Sequence, residues 1–255
     1  MDHILTVSQF TPAEVEKITG VSTMTQRDWR RRGFLEKRGE GHARYDLFDL
    51  GHLLALKLLS DRGVPLDAAA DVANFCGMGI GYRVLQWVDA YEGDHLRTNE
   101  ARGLPETFPT QNMIDMAHRF VAERGNELPA DFGTRPQWGE KGEWLARQVY
   151  RQRFETGVVP APLFIWWADG QHVFHDSFDK ARSEMTSGDA RLAGPALVLD
   201  FASLASVITD RAGRAFVHVE FPDLPPEGEP NVNAVRQSTV TEPGASAPGQ
   251  HEDEA

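Results

Sequence analysis

The feature that most constrains this chain is the order of helix signals and cations in residues 10–45, FTPAEVEKITGVSTMTQRDWRRRGFLEKRGEGHARY. Residues 11–14 (TPAE) form a helix start, with a threonine cap, a proline at the first helical position and an acid three residues after the cap. Gly20 is placed to end this helix, and Ser22 to cap a second helix over about residues 23–32. The segment therefore predicts two short helices joined by a tight turn.

The second helix carries side chains that suit the edges of DNA bases. A helix fits the major groove of B-DNA, where bases are read by hydrogen-bond donors and acceptors. At about 100° per residue the polar side chains spread over one broad face, while Trp29 is predicted to face the core and Asp28 to pair with a neighbouring arginine. The side chains predicted on the polar face are Thr23, Gln26, Arg27, Arg30 and Arg31.

A basic turn follows this helix. Residues 36–46 contain Gly39 and Gly41 and predict a hairpin-like wing. Residues 26–45 hold seven Lys and Arg against three acids, a local net charge of +4 in a chain whose net charge is −12. Phosphates respond to the nearby field because salt screens charges beyond about 10 Å, although a solvated basic helix face would have the same composition. The wing side chains predicted along the DNA backbone are Lys37, Arg38, His42 and Arg44.

Two further helices are predicted after the wing. Asp46 or Asp49 begins the third helix, and the Pro65-Leu66-Asp67 sequence begins a short fourth helix that reaches about Phe75. The GMGIG sequence of residues 77–81 follows. It lacks the preceding strand of a phosphate-binding loop, so a nucleotide site is not indicated there.

Several short motifs of this region have a characteristic order and spacing. In chain order they are Val21-Ser22, Thr25, Arg27, Trp29, Gly33-Phe34-Leu35, Gly41, Arg44, Tyr45 and the DLFDLGHL run of residues 46–53. The segment of about residues 8–76 resembles the MerR-type winged helix-turn-helix. The resemblance implies DNA contacts by Thr25, Arg27 and Arg30, and by Arg44 and Tyr45 of the wing. Metal-sensing members of that family place cysteines beyond a long antiparallel coiled-coil helix, whereas Cys76 is the only cysteine here.

The chain as a whole is predicted to be α+β and to have four parts. Residues 1–76 form the winged helix, and residues 77–158 form a helical linker or dimerisation region. Residues 159–222 read strand-strand-helix-strand-helix-strand, a small α+β sensor or dimerisation domain with a hairpin turn at Asp169-Gly170. Residues 223–255 are rich in Pro, Gly, Glu and Ser, which predicts a disordered acidic tail.

Other candidate sites are weaker. His172 and His175 are three apart on a predicted strand, so they point to opposite faces and do not predict a shared metal ion. Trp166 and Trp167 cannot both face one core, so one of them must meet a second layer, a partner or a ligand. Cys76 is expected to be a small buried hydrophobe. The sequence contains no recognisable catalytic set, and it predicts no metal and no cofactor.

The sequence thus predicts a cytoplasmic, bacterial-type transcriptional regulator that binds double-stranded DNA sequence-specifically as a homodimer, with a small-molecule effector of unidentified class. No membrane association is expected, because no apolar run reaches about 18 residues and the N-terminal sequence does not resemble a signal peptide. Two alternatives remain open. One is a phage or mobile-element excisionase or repressor that acts architecturally, and the other is a protein-interaction adaptor that has lost DNA binding. An enzyme is not expected.

Overall fold

The computed structural model describes residues 2–35, 43–123, 125, 127, 132–134 and 136–225. Within these ranges the protein is α+β, as the sequence predicts. The helices are α1 (Pro12–Thr19), α2 (Thr23–Arg32), α3 (Leu47–Asp61), α4 (Leu66–Val84), α5 (Thr98–Ala101), α6 (Gln111–Ala122), α7 (Gly139–Phe154), α8 (Phe178–Ser183) and α9 (Phe201–Ala212). The strands are β1 (Ile4–Val7), β2 (Tyr91–Gly93), β3 (Leu163–Trp166), β4 (His172–His175), β5 (Leu197–Asp200) and β6 (Val217–Glu220).

The first two helices begin at the predicted caps. The Thr11 hydroxyl accepts a hydrogen bond from the Glu14 backbone N–H, and the Glu14 carboxylate accepts one from the Thr11 backbone N–H at 2.7 Å. Gly20 follows α1 with a φ of 72°, a left-handed conformation that glycine adopts without strain. Ser22 caps α2 by accepting from the Thr25 backbone N–H at 3.1 Å. The predicted helix-turn-helix is therefore present.

The third helix begins at Asp46, which resolves the choice between the two predicted aspartates. Its carboxylate accepts from the backbone N–H groups of Phe48 and Asp49, and the Asp49 carboxylate accepts from the Asp46 N–H, which completes a second capping box. Arg153 of α7 lies 3.2 Å from the same Asp46 carboxylate. The start of α3 is thus tied to the middle of the chain.

The fourth helix is longer than predicted. It ends at Val84 instead of near residue 75, and it includes the whole GMGIG sequence. A Cβ on Gly77 would lie 2.6 Å from the backbone nitrogen of His52 in α3, and Gly79 faces α9 in the same close manner. The prediction of a short α4 was wrong because these glycines, which weaken an isolated helix, let neighbouring helices approach closely enough to stabilise this one.

The six strands form two sheets of three. In the first sheet, β6 lies between β1, to which it is antiparallel, and β2, to which it is parallel, so that Leu5 is opposite Val219. The second sheet has the order β4-β3-β5 and is antiparallel throughout, with Phe164 between Phe174 and Leu199. The strand order predicted for residues 159–222 is present, but its last strand pairs with the first strand of the chain. The four-part division stays a prediction.

The adjacent tryptophans of the second sheet meet different cores. Trp166 packs against the main core of the molecule. Trp167 is buried in a smaller cluster with Ile165 and Ala181 on the other face, where its ring lies 5.8 Å from that of Phe178. Of the three alternatives that the sequence left open for the second tryptophan, the structure shows a second layer, supplied by α8.

None of the helices in the described ranges has the length and apolar composition of a transmembrane segment. Two sequence predictions fall largely elsewhere. The wing hairpin lies outside the described residues over 36–42, and the tail lies outside them from residue 226 onward.

Candidate nucleic-acid interface

A concave surface of about 420 Å³, here called the α2 groove, lies between the start of α1, one face of α2 and residues 43–45. It brings together six of the predicted contact residues and three guanidinium groups. The lining residues are Thr11, Pro12, Thr23, Gln26, Arg27, Arg30, Ala43, Arg44 and Tyr45. The groove is therefore a cationic concavity beside a helix, which suits an anionic ligand.

Arg30 is held in a fixed position at the groove. Its guanidinium group lies 5.2 Å from the centre of the Tyr45 ring and donates a hydrogen bond to the Tyr45 hydroxyl. Tyr45 is itself 4% exposed, and its backbone exchanges hydrogen bonds of 2.8 and 3.1 Å with Phe10. Burial raises the pKa of the Tyr45 hydroxyl, with Arg30 opposing that shift. Tyr45 therefore stays neutral and acts as a support for Arg30.

Gln26 is a predicted DNA-contact residue whose side chain is buried in the structure. It is 1% exposed, and its side-chain amide donates to the Pro12 carbonyl oxygen at 3.0 Å and to the Val21 carbonyl oxygen at 2.8 Å. Both amide N–H groups are thus used on the backbone, so they are not available to a base. The predicted exposure of Gln26 was wrong, because its side-chain amide bonds to one backbone carbonyl at the start of α1 and to another in the α1–α2 turn.

The remaining positions of α2 differ in their surroundings. The Thr25 hydroxyl lies 2.8 Å from the Ser22 hydroxyl, at the helix cap and away from the groove. Thr23 is half-exposed at the groove edge. Arg31 is exposed beside the groove and bonds to Asp28 at 2.5 Å, which confirms the predicted pair. Thr23 is thus the residue of these three that lines the groove.

Of the remaining predicted side chains, some line the groove, one packs in the core, and others lie outside the described residues. Trp29 is 8% exposed and packs in the main core, as predicted. Arg27 and Arg44 are exposed at the groove from two different elements. Three predicted wing contacts lie outside the described residues, and they are Lys37, Arg38 and His42.

One ion pair at the start of α1, where Thr11 and Pro12 line the groove, was not predicted from the sequence. Arg214, which follows α9, lies 3.2 Å from the carboxylate of Glu14 on the first turn of α1. Hydrogen bonds from Thr11 lower the pKa of the Glu14 carboxyl, and Arg214 and Arg44 lower it further, so Glu14 is ionised. No local pattern in the sequence connects residue 214 with residue 14, so only the fold reveals this pair.

The side chains of the other candidate sites pack against or pair with neighbouring residues. The His172 ring lies 5.3 Å from that of Trp166 in a stacked arrangement, whereas the Nε2 atom of His175 lies 3.3 Å from a Glu184 carboxylate oxygen. Within the described ranges, no three His, Cys, Asp or Glu side chains are grouped as metal ligands. Cys76 is fully buried, and burial raises the pKa of its thiol. None of these groups adds a ligand to the groove.

Comparison with known proteins bears on the same segment. Residues 10–75 match the family model for the MerR HTH family regulatory protein, which spans α1, α2, the wing, α3 and the first half of α4. Neither a curated protein nor a solved structure gave a match. The family match supports a DNA-binding regulator of the MerR type, and it confirms the resemblance predicted for residues 8–76. Residues 10–75 are therefore a MerR-type helix-turn-helix segment.

Proposed function

We propose that this protein is a sequence-specific transcriptional regulator that binds double-stranded DNA through the α2 groove. The observation that carries the proposal is the convergence of Arg27, Arg30 and Arg44 on one concave surface of a MerR-type segment. Guanidinium groups donate paired hydrogen bonds both to phosphate oxygens and to the major-groove edge of guanine. A surface with three such groups is suited to a duplex in which both kinds of acceptor lie close together.

In the proposed complex α2 enters the major groove. Arg27 and Thr23 are exposed enough to reach base edges, and Arg44 is exposed enough to reach the flanking phosphates. Arg30 is already oriented by Tyr45, so less conformational entropy is lost when it binds. The proposed wing contacts of Lys37, Arg38 and His42 would add further phosphate contacts and hence salt dependence.

We also propose a homodimer that acts in the cytoplasm and bridges two half-sites about one helical turn of DNA apart. The candidate regions for dimerisation or for sensing an effector are residues 77–158 and 159–222. The uneven charge favours contact through one surface: the chain has a net charge of −12, but residues 26–45 have +4. The acidic remainder disfavours other orientations on DNA.

Selection of bound duplexes from a random-sequence library by the full chain tests the proposal. A transcriptional regulator is expected to enrich one motif, with two half-sites if it is dimeric. Recovery of no enriched sequence, together with no measurable affinity for any duplex, would leave the protein-interaction adaptor as the better account.

Sequencing of genomic DNA that co-precipitates with the protein separates the two kinds of DNA binder. Sites concentrated at a promoter are expected for a regulator. Repeated sites at the ends of a mobile element would instead indicate an excisionase.

A further inference from the structure

The corner between α9 and β6 lies against the start of α1. Arg214, at this corner, donates a hydrogen bond to the Gln9 carbonyl oxygen at 2.8 Å and lies 3.2 Å from a Glu14 carboxylate oxygen. Its guanidinium group also lies 4.2 Å from the centre of the Phe10 ring. A single side chain from the C-terminal part of the chain therefore contacts a backbone carbonyl, an aromatic ring and a carboxylate around the α1 cap.

A second arginine of the same corner holds the opposite end of α1. Arg211 donates to the Ile18 carbonyl oxygen at 3.1 Å, near the helix C-terminus, where a cation is favoured by the helix dipole. The two arginines together fix α1 at both ends. They differ in one respect: Arg214 also pairs with a carboxylate of α1, whereas the Arg211 contact is with a backbone carbonyl.

The Arg214 contacts lead directly to the α2 groove. Phe10, beneath the Arg214 guanidinium group, is 1% exposed and its backbone pairs with that of Tyr45. The Tyr45 hydroxyl in turn accepts from Arg30. Arg214, Phe10, Tyr45 and Arg30 thus form an unbroken series of contacts from the C-terminal corner to the groove.

The charge of Glu14 affects the proposed DNA binding because the carboxylate lies on the helix turn that lines the groove. Thr11 and Pro12 of the same helix turn line the groove, so a DNA phosphate at the start of α1 would approach an ionised carboxylate. Like charges repel, and the positive charge of Arg214, 3.2 Å from this carboxylate, reduces that repulsion. Arg214 therefore makes the start of α1 compatible with a phosphate.

We propose that Arg214, which lies far outside the matched segment of residues 10–75, is a positioning residue of the DNA interface. It acts by neutralising Glu14 and by fixing the Phe10–Tyr45 pair that supports Arg30. This inference rests on the proposed DNA binding. It adds that the interface is completed by a residue of the C-terminal corner, so the MerR-type segment alone does not contain all of it.

Fluorescence anisotropy with a labelled duplex of the selected sequence tests the inference on the full chain. R214A is expected to weaken binding about fivefold, since it removes the cation that lies 3.2 Å from the Glu14 carboxylate. The double variant R214A/E14Q should regain most of that loss, because glutamine keeps the capping acceptor and removes the charge. R214K, which keeps the charge, should lose less than R214A.

Matched variants separate the charge effect from a loss of structure. R211A removes the hydrogen bond to the C-terminal end of α1 but leaves Glu14 paired with Arg214. E14Q is therefore not expected to restore any DNA affinity lost in R211A. Melting temperatures are measured for every variant. If R214A does not fold, R214Q replaces it, since its amide retains a donor for the Gln9 carbonyl, and the same loss and rescue are expected.

Two results would overturn the inference. One is wild-type affinity in R214A, and the other is a loss in R214A that E14Q does not restore when both variants are equally stable. R27A is the reference for the proposed function itself. If R27A also binds as the wild type does, the proposed DNA interface fails; if R27A loses affinity and R214A does not, only the role of Arg214 fails.

Discussion

The two sheets of this protein differ in how far apart along the chain their strands lie. In the first sheet, Leu5 is opposite Val219, and this pairing brings α9 and its arginines onto α1. In the second sheet, all three paired strands lie between residues 163 and 200. The comparison teaches that the first sheet joins the helix-turn-helix to the C-terminal corner, whereas the second is assembled locally.

The largest expected effect comes from the core beneath the first sheet. Phe216 is fully buried, and its ring lies 5.6 Å from that of Phe10. Phe216→Ala should lower the free energy of unfolding by about 3–5 kcal/mol, measured by urea denaturation. Phe174→Ala, which removes the same ring from a half-buried position on β4 of the second sheet, is the matched change and should cost about 1–2 kcal/mol. Equal losses at the two positions would show that the two sheets contribute equally to the free energy of unfolding, contrary to this account.

The next effect concerns the contact between α4 and α9. A Cβ on Gly79 would lie 2.4 Å from the Phe201 ring, so Gly79→Ala should destabilise the protein by about 1–3 kcal/mol through overpacking. Gly139, at the start of α7, has no atom within 4 Å of an added Cβ. Gly139→Ala should therefore be neutral or slightly stabilising when both variants are measured by urea denaturation. A stable Gly79→Ala variant would indicate a looser α4–α9 contact than described.

A pH effect should follow from His52, a residue of α3 at the contact with α4. Its Nε2 atom is buried with no hydrogen-bond partner among the residues that the structure describes, and burial lowers the pKa of the ring from 6.5 to about 4. The folded state thus holds His52 neutral while the unfolded chain binds a proton, so stability falls as the pH drops from about 6.5 towards 4. The expected loss is about 1–2 kcal/mol at pH 5. His52→Gln should flatten this part of the profile, and an unchanged slope would argue against the neutral ring.

The smallest effect is expected at the exposed Arg31–Asp28 pair of α2. Asp28→Asn should change the free energy of unfolding by less than about 1 kcal/mol, because an exposed ion pair contributes little in water. Its effect on DNA affinity is the sharper measurement, since losing an acid beside the groove should strengthen binding slightly. A weaker complex would mean that Asp28 positions Arg31 for contact.

What could be predicted from the sequence follows the same division between local and distant contacts. The capping box of Thr11 and Glu14 and the hairpin turn at Asp169-Gly170 depend on neighbouring residues, so their signals are visible in the sequence. The pairing of β6 with β1 has no local signal. Nor does the burial of Gln26, since a glutamine on a helix between polar residues gives no sign that its amide will bond to the carbonyl groups of Pro12 and Val21.

The measurement that tests the central claim most directly is the affinity of the selected duplex for the wild type and for the variant with both Arg27→Ala and Arg30→Ala. We predict a loss of at least about tenfold in this variant, since one base-reading arginine typically contributes 1–3 kcal/mol, and a weaker dependence on salt. Arg151→Ala, an exposed arginine of α7 away from the groove, should bind as the wild type does. Equal affinity of the double variant and the wild type would contradict the assignment of the α2 groove to DNA.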